Sequence, residues 1–353
     1  MKLKASLCLS LVLAAFSSLS SQAEIRWLER DYDFGLFKEI AGPKTGISRF
    51  VNLGPDTLSI LAVKPSCGCT SADFTRSPLA PGDTAVVTYT YDPPMRPGKF
   101  EKSVRVTLSD GSRPVIHIAG NVLGTPESLA TLYPVEAGAM RLSDGFINLG
   151  DVKFGRKPIA FVNAYVLSAD SISPALASGT EALTLEPSIE KAGPGDVVTF
   201  TLNFDASAYG KYGPVEIPVF LPGDPDASTL FMVRARVLPD ATDLSLHQQG
   251  KNPEIVIVPD PLDLGPISGG EPVETQITVN NVGKGTLELL NVSVGSQAVE
   301  LIKVPQSIKP GKSAAVKLRI DPSKLARGPQ RIPIEVICND PYHITRTINI
   351  AIP

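Results

Sequence analysis

Pro81-Gly82-Asp83-Thr84-Ala85-Val86-Val87-Thr88-Tyr89-Thr90-Tyr91-Asp92 is the stretch on which the fold turns. A Pro-Gly turn opens it, apolar and polar residues then alternate, and an aspartate ends it. A period of two places alternate side chains on opposite faces, which is the pattern of a half-buried antiparallel strand. The phrase returns as Pro194-Gly195 followed by Val197-Val198-Thr199-Phe200-Thr201-Leu202-Asn203-Phe204-Asp205, and as Pro310-Gly311 followed by Ala315-Val316-Lys317-Leu318-Arg319-Ile320-Asp321. Upstream, Asp33-Phe34-Gly35 recurs as Asn148-Leu149-Gly150 and Asp263-Leu264-Gly265, with a step of 115 both times. Downstream, Gly98, Gly210 and Gly328 each close a loop. Several markers in one order at one period imply three tandem copies of one domain.

The third copy shows the pattern within a repeat. Gln276 to Asn280, Leu287 to Val294, Val299 to Val304, Ala315 to Ile320, Arg331 to Cys338 and Ile344 to Ile352 alternate, with turns such as Gly283-Lys284-Gly285 between them. No long window carries a capped helical stripe. About seven short strands per hundred residues predict an all-β chain of three immunoglobulin-like antiparallel sandwiches, without the Cys…Trp…Cys spacing of antibody domains. The expected domains span 24–124, 141–238 and 253–353. A Gly/Pro-rich link joins the first two, and the polar segment Pro239 to Pro253 is expected as a flexible joint. Gly 29 and Pro 32 in 353 residues agree with so many turns.

Residues 1–23 read as a cleavable export signal. Lys2 and Lys4 precede an apolar run from Leu7 to Phe16, and Ser21-Gln22-Ala23 supplies small residues around a cut after Ala23. The apolar run is about ten residues, half of what a spanning helix needs. The expected address is periplasmic or secreted, with no transmembrane segment after cleavage. Losing the two lysines leaves 31 basic against 36 acidic residues, a net charge of −5. That balance argues against a partner bound by phosphate neutralisation, so no nucleic acid is expected.

Three cysteines remain after cleavage. Cys338 follows Ile332, Ile334 and Val336 at strand spacing, so it is expected to be an inert core thiol. Cys67 and Cys69, in Lys64-Pro65-Ser66-Cys67-Gly68-Cys69-Thr70, are the chemical singularity of the chain. Aligning Asn52-Leu53-Gly54 with Asn281-Val282-Gly283 sets the two cysteines against Ser296 and Ala298, and the second copy has no cysteine. The pair is therefore an addition to the first copy. It is compatible with a local disulfide, the default in an exported protein. It also suits two thiolate ligands for Cu(I) or Zn(II), although no His or second Cys pair completes such a site. A redox pair and an intermolecular bridge are the remaining readings.

Asp33-Phe34-Gly35, Val63 through Thr70, Leu79-Ala80-Pro81-Gly82, Tyr91-Asp92-Pro93 and Pro97-Gly98-Lys99-Phe100 together resemble the bacterial domain-of-unknown-function 1573 family, over residues 33 to 120. The resemblance implies export and a sandwich like those of Hydin and the major sperm protein, and it brings no activity. The other two copies lack the Cys-Gly-Cys-Thr core and resemble only the wider Hydin-like group.

Nucleophile-elbow, zincin, Walker and dinucleotide-binding motifs do not occur. His117 alternates along a strand, His343 sits in a turn and His247 in a linker, so all three read as structural or solvent-facing. Asp224 and Asp226 fit a solvated turn better than a calcium site. The sequence thus points to a non-enzymatic interaction or structural protein of the cell envelope, without a cofactor and with a protein partner. Thiol or metal handling at Cys67 and Cys69 is the alternative.

Overall fold

The computed structural model describes residues 24–223, 228–248, 251–267 and 270–353. The export signal expected at 1–23 and the acids Asp224 and Asp226 lie outside the described residues. The chain divides into two compact units, one up to Ser128 and one from Leu129.

In the first unit, Ile25–Glu29 (β1), Tyr32–Lys38 (β2), Lys44–Asn52 (β3), Ile60–Pro65 (β4), Thr70–Phe74 (β5), Thr84–Tyr91 (β6), Gly98–Leu108 (β7) and Val115–Leu123 (β8) build two sheets, ordered β1-β3-β6-β5 and β2-β8-β7-β4. The alternation of β6 has the predicted effect: Ala85, Val87, Tyr89 and Tyr91 are buried. Ala85, Val87 and Tyr89 meet Val104, Val106, Leu108, Ile116 and Ile118 from the facing sheet in one core, and Tyr91 joins Phe37, Phe100 and Val122 in a second, smaller one. Burying a large apolar side chain contributes about 1.5–3 kcal/mol, so a run of four per strand holds the sheets together without help from cross-links. Trp27 packs edge-on against Phe50 at 5.1 Å.

The second unit opens on the helix Pro126–Leu132 (α1), which starts in the first unit and ends in the second. Val135–Ala137 (β9), Met140–Leu142 (β10), Phe146–Lys153 (β11), Ile159–Val166 (β12), Ala177–Ser178 (β13), Leu183–Pro187 (β14), Val197–Phe204 (β15), the short helix Ala206–Tyr209 (α2), Gly213–Phe220 (β16) and Phe231–Leu238 (β17) follow. Their sheets run β14-β15-β12-β10-β9 and β11-β17-β16-β13. After the helix Ala241–Gln248 (α3) come Ile255–Val258 (β18), Leu262–Asp263 (β19), Val273–Asn281 (β20), Leu287–Val294 (β21), Val299–Lys303 (β22), Ser307–Ile308 (β23), Ser313–Ile320 (β24), Gln330–Cys338 (β25) and Thr345–Ile352 (β26). They form the sheets β18-β20-β24-β22 and β19-β26-β25-β21-β23. Each pair of sheets encloses its own core.

Two stretches differ from expectation. The link after the first copy holds α1 and the β9–β10 hairpin, so strand pairing begins at Val135, upstream of 141. The polar segment after Pro239, expected as a flexible joint, contains α3. Asp240 explains this, because its carboxylate accepts the Thr242 amide at 3.0 Å and its carbonyl the Leu244 amide at 3.0 Å, capping a helix that needs no apolar stripe to start. In the same unit, Arg236 binds Asp151 through Nε and Nη2 at 2.8 and 2.6 Å and Glu335 through Nη1 at 2.5 Å, tying the second pair of sheets to the third.

The repeat markers have structural causes. Asp33, Asn148 and Asp263 each accept the amide of the glycine two residues on, at 2.8, 2.9 and 2.9 Å. Those glycines have φ of +65°, +65° and +62°, a left-handed conformation that side chains resist. The kink lets the leading strand slip register as it runs parallel to the last strand, between Asp33 and Leu36 and again between Asn148 and Asp151.

That leading segment also changes sheets, which leaves an edge bare. In its first sheet it covers only the later part of the neighbouring strand: Arg49 to Asn52 of β3, Ala164 to Val166 of β12 and Thr278 to Asn281 of β20. Ser143 extends the cover of β12 to Asn163, whose carbonyl accepts the Ser143 amide at 2.8 Å. Ile159 to Val162 has no ladder partner on that side among the described residues.

Candidate functional site

Between β4 and β5 the chain crosses from one sheet to the other through Ser66-Cys67-Gly68-Cys69. Cys67 and Cys69 are joined by a disulfide, with Cα atoms 5.3 Å apart. The other copies make the same crossing. The amides of Asp92, Asp205 and Asp321 donate to the carbonyls of Cys69, Ala182 and Ala298 at 2.9, 2.8 and 2.8 Å, which makes these three residues equivalent. Likewise Thr70, Leu183 and Val299 donate to Cys67, Thr180 and Ser296 at 3.4, 3.3 and 3.4 Å.

The equivalence shows what the disulfide replaces. In the second copy the Thr180 hydroxyl accepts the Ala182 amide at 3.2 Å, and in the third the Ser296 hydroxyl accepts the Ala298 amide at 3.2 Å. These are local hydroxyl-to-amide turns. In the first copy the hydroxyl is gone and a covalent bond spans the same two positions.

Cys69 is buried against Phe37, Tyr91, Phe100 and Val122, whereas Cys67 is half-buried and Gly68 exposed. Tyr91 and Phe100 stack with centroids 3.7 Å apart and planes 7° from parallel, forming an aromatic floor. Burial pushes the Tyr91 phenol above its ordinary range, so it stays neutral. The Thr70 hydroxyl lies 3.6 Å from Cys67 Sγ and 4.0 Å from Cys69 Sγ. Arg96, Lys99 and Lys102 line the same open depression as the disulfide, and none of its lining residues is acidic. In a chain with excess acid this is a local reversal of sign.

The loop carrying Arg96 is held from below. Where the other copies cap a short helical turn with Asp205 and Asp321, the first has Pro93-Pro94-Met95-Arg96-Pro97. Met95 adopts φ of +59°, and its amide donates to the buried Glu39 carboxylate at 2.6 Å. The same carboxylate accepts the Thr125 amide at 2.9 Å and the Ser128 hydroxyl at 2.6 Å. Burial opposes the charge on Glu39, but the hydrogen bonds from Ser128, Thr125 and Met95 outweigh it and hold the carboxyl below its usual range.

The remaining candidates lie apart from this site. Cys338 is fully buried, its thiol is pushed up to about 12 by burial, and it donates to the His343 carbonyl at 3.3 Å. His343 Nδ1 lies 3.1 Å from the buried Asp340 carboxylate, which also accepts the Ile255 and Tyr342 amides at 3.1 and 2.9 Å, so the pair closes a turn of the third copy. His117 faces solvent, and its amide donates to Asp31 at 2.9 Å. His247 falls within α3. No group of three or more His, Cys, Asp or Glu among the described residues is arranged to hold a metal ion. Among those residues, too, no helix is long and apolar enough to cross a membrane.

Sequence reasoning missed Glu39, Asn52 and Asn281. The two asparagines are buried and make the same bonds. Asn52 Nδ2 donates to the carbonyls of Asp56 and Leu79 at 2.8 and 3.1 Å, and its Oδ1 accepts the Gly54 amide at 3.1 Å. Asn281 Nδ2 donates to Gly285 and Ile308 at 2.8 and 2.8 Å, and its Oδ1 accepts Gly283 at 3.1 Å. Gly82, Gly195 and Gly311 donate to the carbonyls of Asn52, Val166 and Asn281 at 2.7, 3.0 and 2.9 Å, so the second copy has Val166 at this position.

Comparison with known proteins follows that division. The model of a family described as a protein of unknown function, DUF1573, matches residues 25–122 and 256–351, together more than half of the chain. The third copy is thus matched although it lacks the cysteines, which corrects the expectation of only a wider likeness; it keeps the buried asparagine, and the unmatched second copy does not. Among solved structures, a protein of unknown function from Porphyromonas gingivalis W83 is 18% identical, covering 61% of this chain and 99% of that one with a TM-score of 0.44. The PapD-like domain 7 of human CEP192 is 12% identical, covering 34% of this chain and 99% of that one with a TM-score of 0.25. No curated protein matches. The two matched segments, with their shared asparagine-centred loops, make this chain a member of the DUF1573 family.

Proposed function

We propose that this chain is an exported, non-enzymatic interaction or structural protein of the bacterial cell envelope, in which the second of three sandwiches takes an extended partner strand by β-augmentation. The observation that carries this reading is the bare stretch Ile159 to Val162 of β12, where Ile159 and Phe161 are 56% and 60% exposed. The matching positions are Thr45 and Ile47 in the first copy and Glu274 and Gln276 in the third. There Glu274 pairs with Arg319 at 3.2 Å. Charge on an edge discourages pairing, whereas an apolar bare edge invites it. An incoming strand would satisfy the open main-chain groups and cover both apolar side chains. The basic start, short apolar run and small residues of 1–23 support the address. Against catalysis stands the separation of the titratable groups: Cys338 is sealed in a core, His343 is engaged by Asp340 and His117 lies on a strand surface.

The test places a photo-crosslinking residue at Phe161 in the full chain and irradiates intact envelopes. One discrete adduct is expected, and it is lost when Ile159→Lys is added. Adducts of equal yield at Thr45 and Gln276, or an adduct at Phe161 indifferent to Ile159→Lys, would contradict the reading.

A further inference from the structure

The turns at Thr180 and Ser296 show that this crossing folds without a covalent link, and a bond between residues two apart closes too small a loop to stabilise the chain much. The Cys67–Cys69 bond therefore needs a reason other than stability. Its surroundings supply one. One sulfur is reachable and the other buried, the depression beside them is lined by Arg96, Lys99 and Lys102, and the Thr70 hydroxyl lies within 4.0 Å of both sulfurs. Positive charge favours thiolate over thiol and so favours the departure of a thiolate from a disulfide. We propose that Cys67 and Cys69 form a thiol–disulfide exchange site that accepts two electrons from a dithiol presented at this depression.

The step balances as follows. A thiolate of the dithiol attacks Cys67 Sγ, the bond to Cys69 breaks, and its electron pair passes to Cys69 Sγ. The second thiolate of the dithiol then attacks its own partner's sulfur in the mixed disulfide and releases Cys67 as thiolate. The dithiol leaves as a disulfide, and its two protons are taken up by the cysteine pair or by solvent. Cys67 is the attacked sulfur because Cys69 is covered by Phe37, Tyr91 and Phe100. The inference stands independently of the strand-binding reading, since the two concern different copies.

Dithiothreitol is the probe, acting on the folded full chain, with alkylation and mass analysis as the readout and buried Cys338 as the internal reference. The expected result is reduction of Cys67–Cys69 while Cys338 stays unlabelled. Lys99→Gln/Lys102→Gln should slow it about tenfold without moving the urea midpoint. With Cys69→Ser, glutathione disulfide should label Cys67 about tenfold faster than it labels Cys69 in Cys67→Ser. Reduction only at the rate at which Cys338 becomes labelled, a rate unchanged by the lysine substitutions, or equal labelling in the two single variants would each overturn the proposal.

Discussion

Asn52→Ala is expected to destabilise the unit up to Ser128 by about 3 kcal/mol, among the largest losses available from one polar side chain. The amide is fully buried and joins Asp56, Leu79 and Gly54 beside the isolated Leu58–Leu79 bridge. Removing it takes the partner from the Gly54 amide and the Asp56 carbonyl and one of two donors from the Leu79 carbonyl, which keeps the Leu58 amide at 2.9 Å; each group left unpaired costs about 1–3 kcal/mol. Partial rehydration of the loop keeps the sum near the lower bound. Trp27, the single tryptophan, packs on Phe50 in this unit, so its fluorescence in urea reports the loss directly. Asn281→Ala should cost as much in the third copy, followed by circular dichroism. Val166→Ala in the second should cost only its packing, because no hydrogen bonds from that side chain exist to be lost. A shift below about 1 kcal/mol for Asn52→Ala would mean that the loop closes without the amide.

Glu39→Ala should have a comparable effect in the same unit and add a pH signature. Its carboxylate is the shared acceptor for Met95, Thr125 and Ser128; hydrogen bonds to a charged group contribute about 1.5–3 kcal/mol each net of competition with water, and burial of the charge offsets part of their sum. A net loss of about 3 kcal/mol is expected. The folded carboxyl is held below its unfolded value, so the stabilisation is complete above the ordinary carboxylate range. It is lost as pH falls through the lower folded value. Glu39→Gln keeps an acceptor oxygen but no charge. It should lose less than Glu39→Ala, and the fall in the Trp27-reported urea midpoint between neutral and acidic pH should be smaller than in the parent. A parent and a Glu39→Gln variant with superimposable pH profiles would show that other carboxylates carry the acid sensitivity.

Both residues show where sequence reading stops. Alternation in Val86 to Tyr91 and its counterparts exposed the strands, because burial on one face of a sheet enforces a period of two whatever the partner. Asp33-Phe34-Gly35 was visible as a repeat, because the kink it makes needs glycine at one position. Asn52 and Asn281 were visible as alignment marks but not as buried hubs, since their acceptors are main-chain carbonyls up to 27 residues away and carry no side-chain signal. Glu39 was harder still: its three donors lie 56 to 89 residues on, and two of them are backbone amides. Cys67 and Cys69 were legible as an addition to the first copy. That they replace a hydroxyl-to-amide turn required the equivalence of Thr180 and Ser296, and the cations gather around them only because β7 and the Pro93–Pro97 loop fold back on the same end. Short strands such as β18, β19 and β23 escaped because two to four residues are too few to show a period.

The reading of the chain as copies of one design, with chemistry added to the first, is most directly tested by rebuilding the third copy's turn in the first. Cys67→Ser/Cys69→Ala gives the first crossing the hydroxyl donor–acceptor arrangement found at Ser296 and Ala298. Urea unfolding of the full chain, followed by Trp27 fluorescence, should place this variant within about 1 kcal/mol of the parent, since the lost ring is small and the amide regains its hydrogen bond. A loss of more than about 3 kcal/mol, or failure of the first unit to fold, would make the disulfide part of the framework and contradict the account.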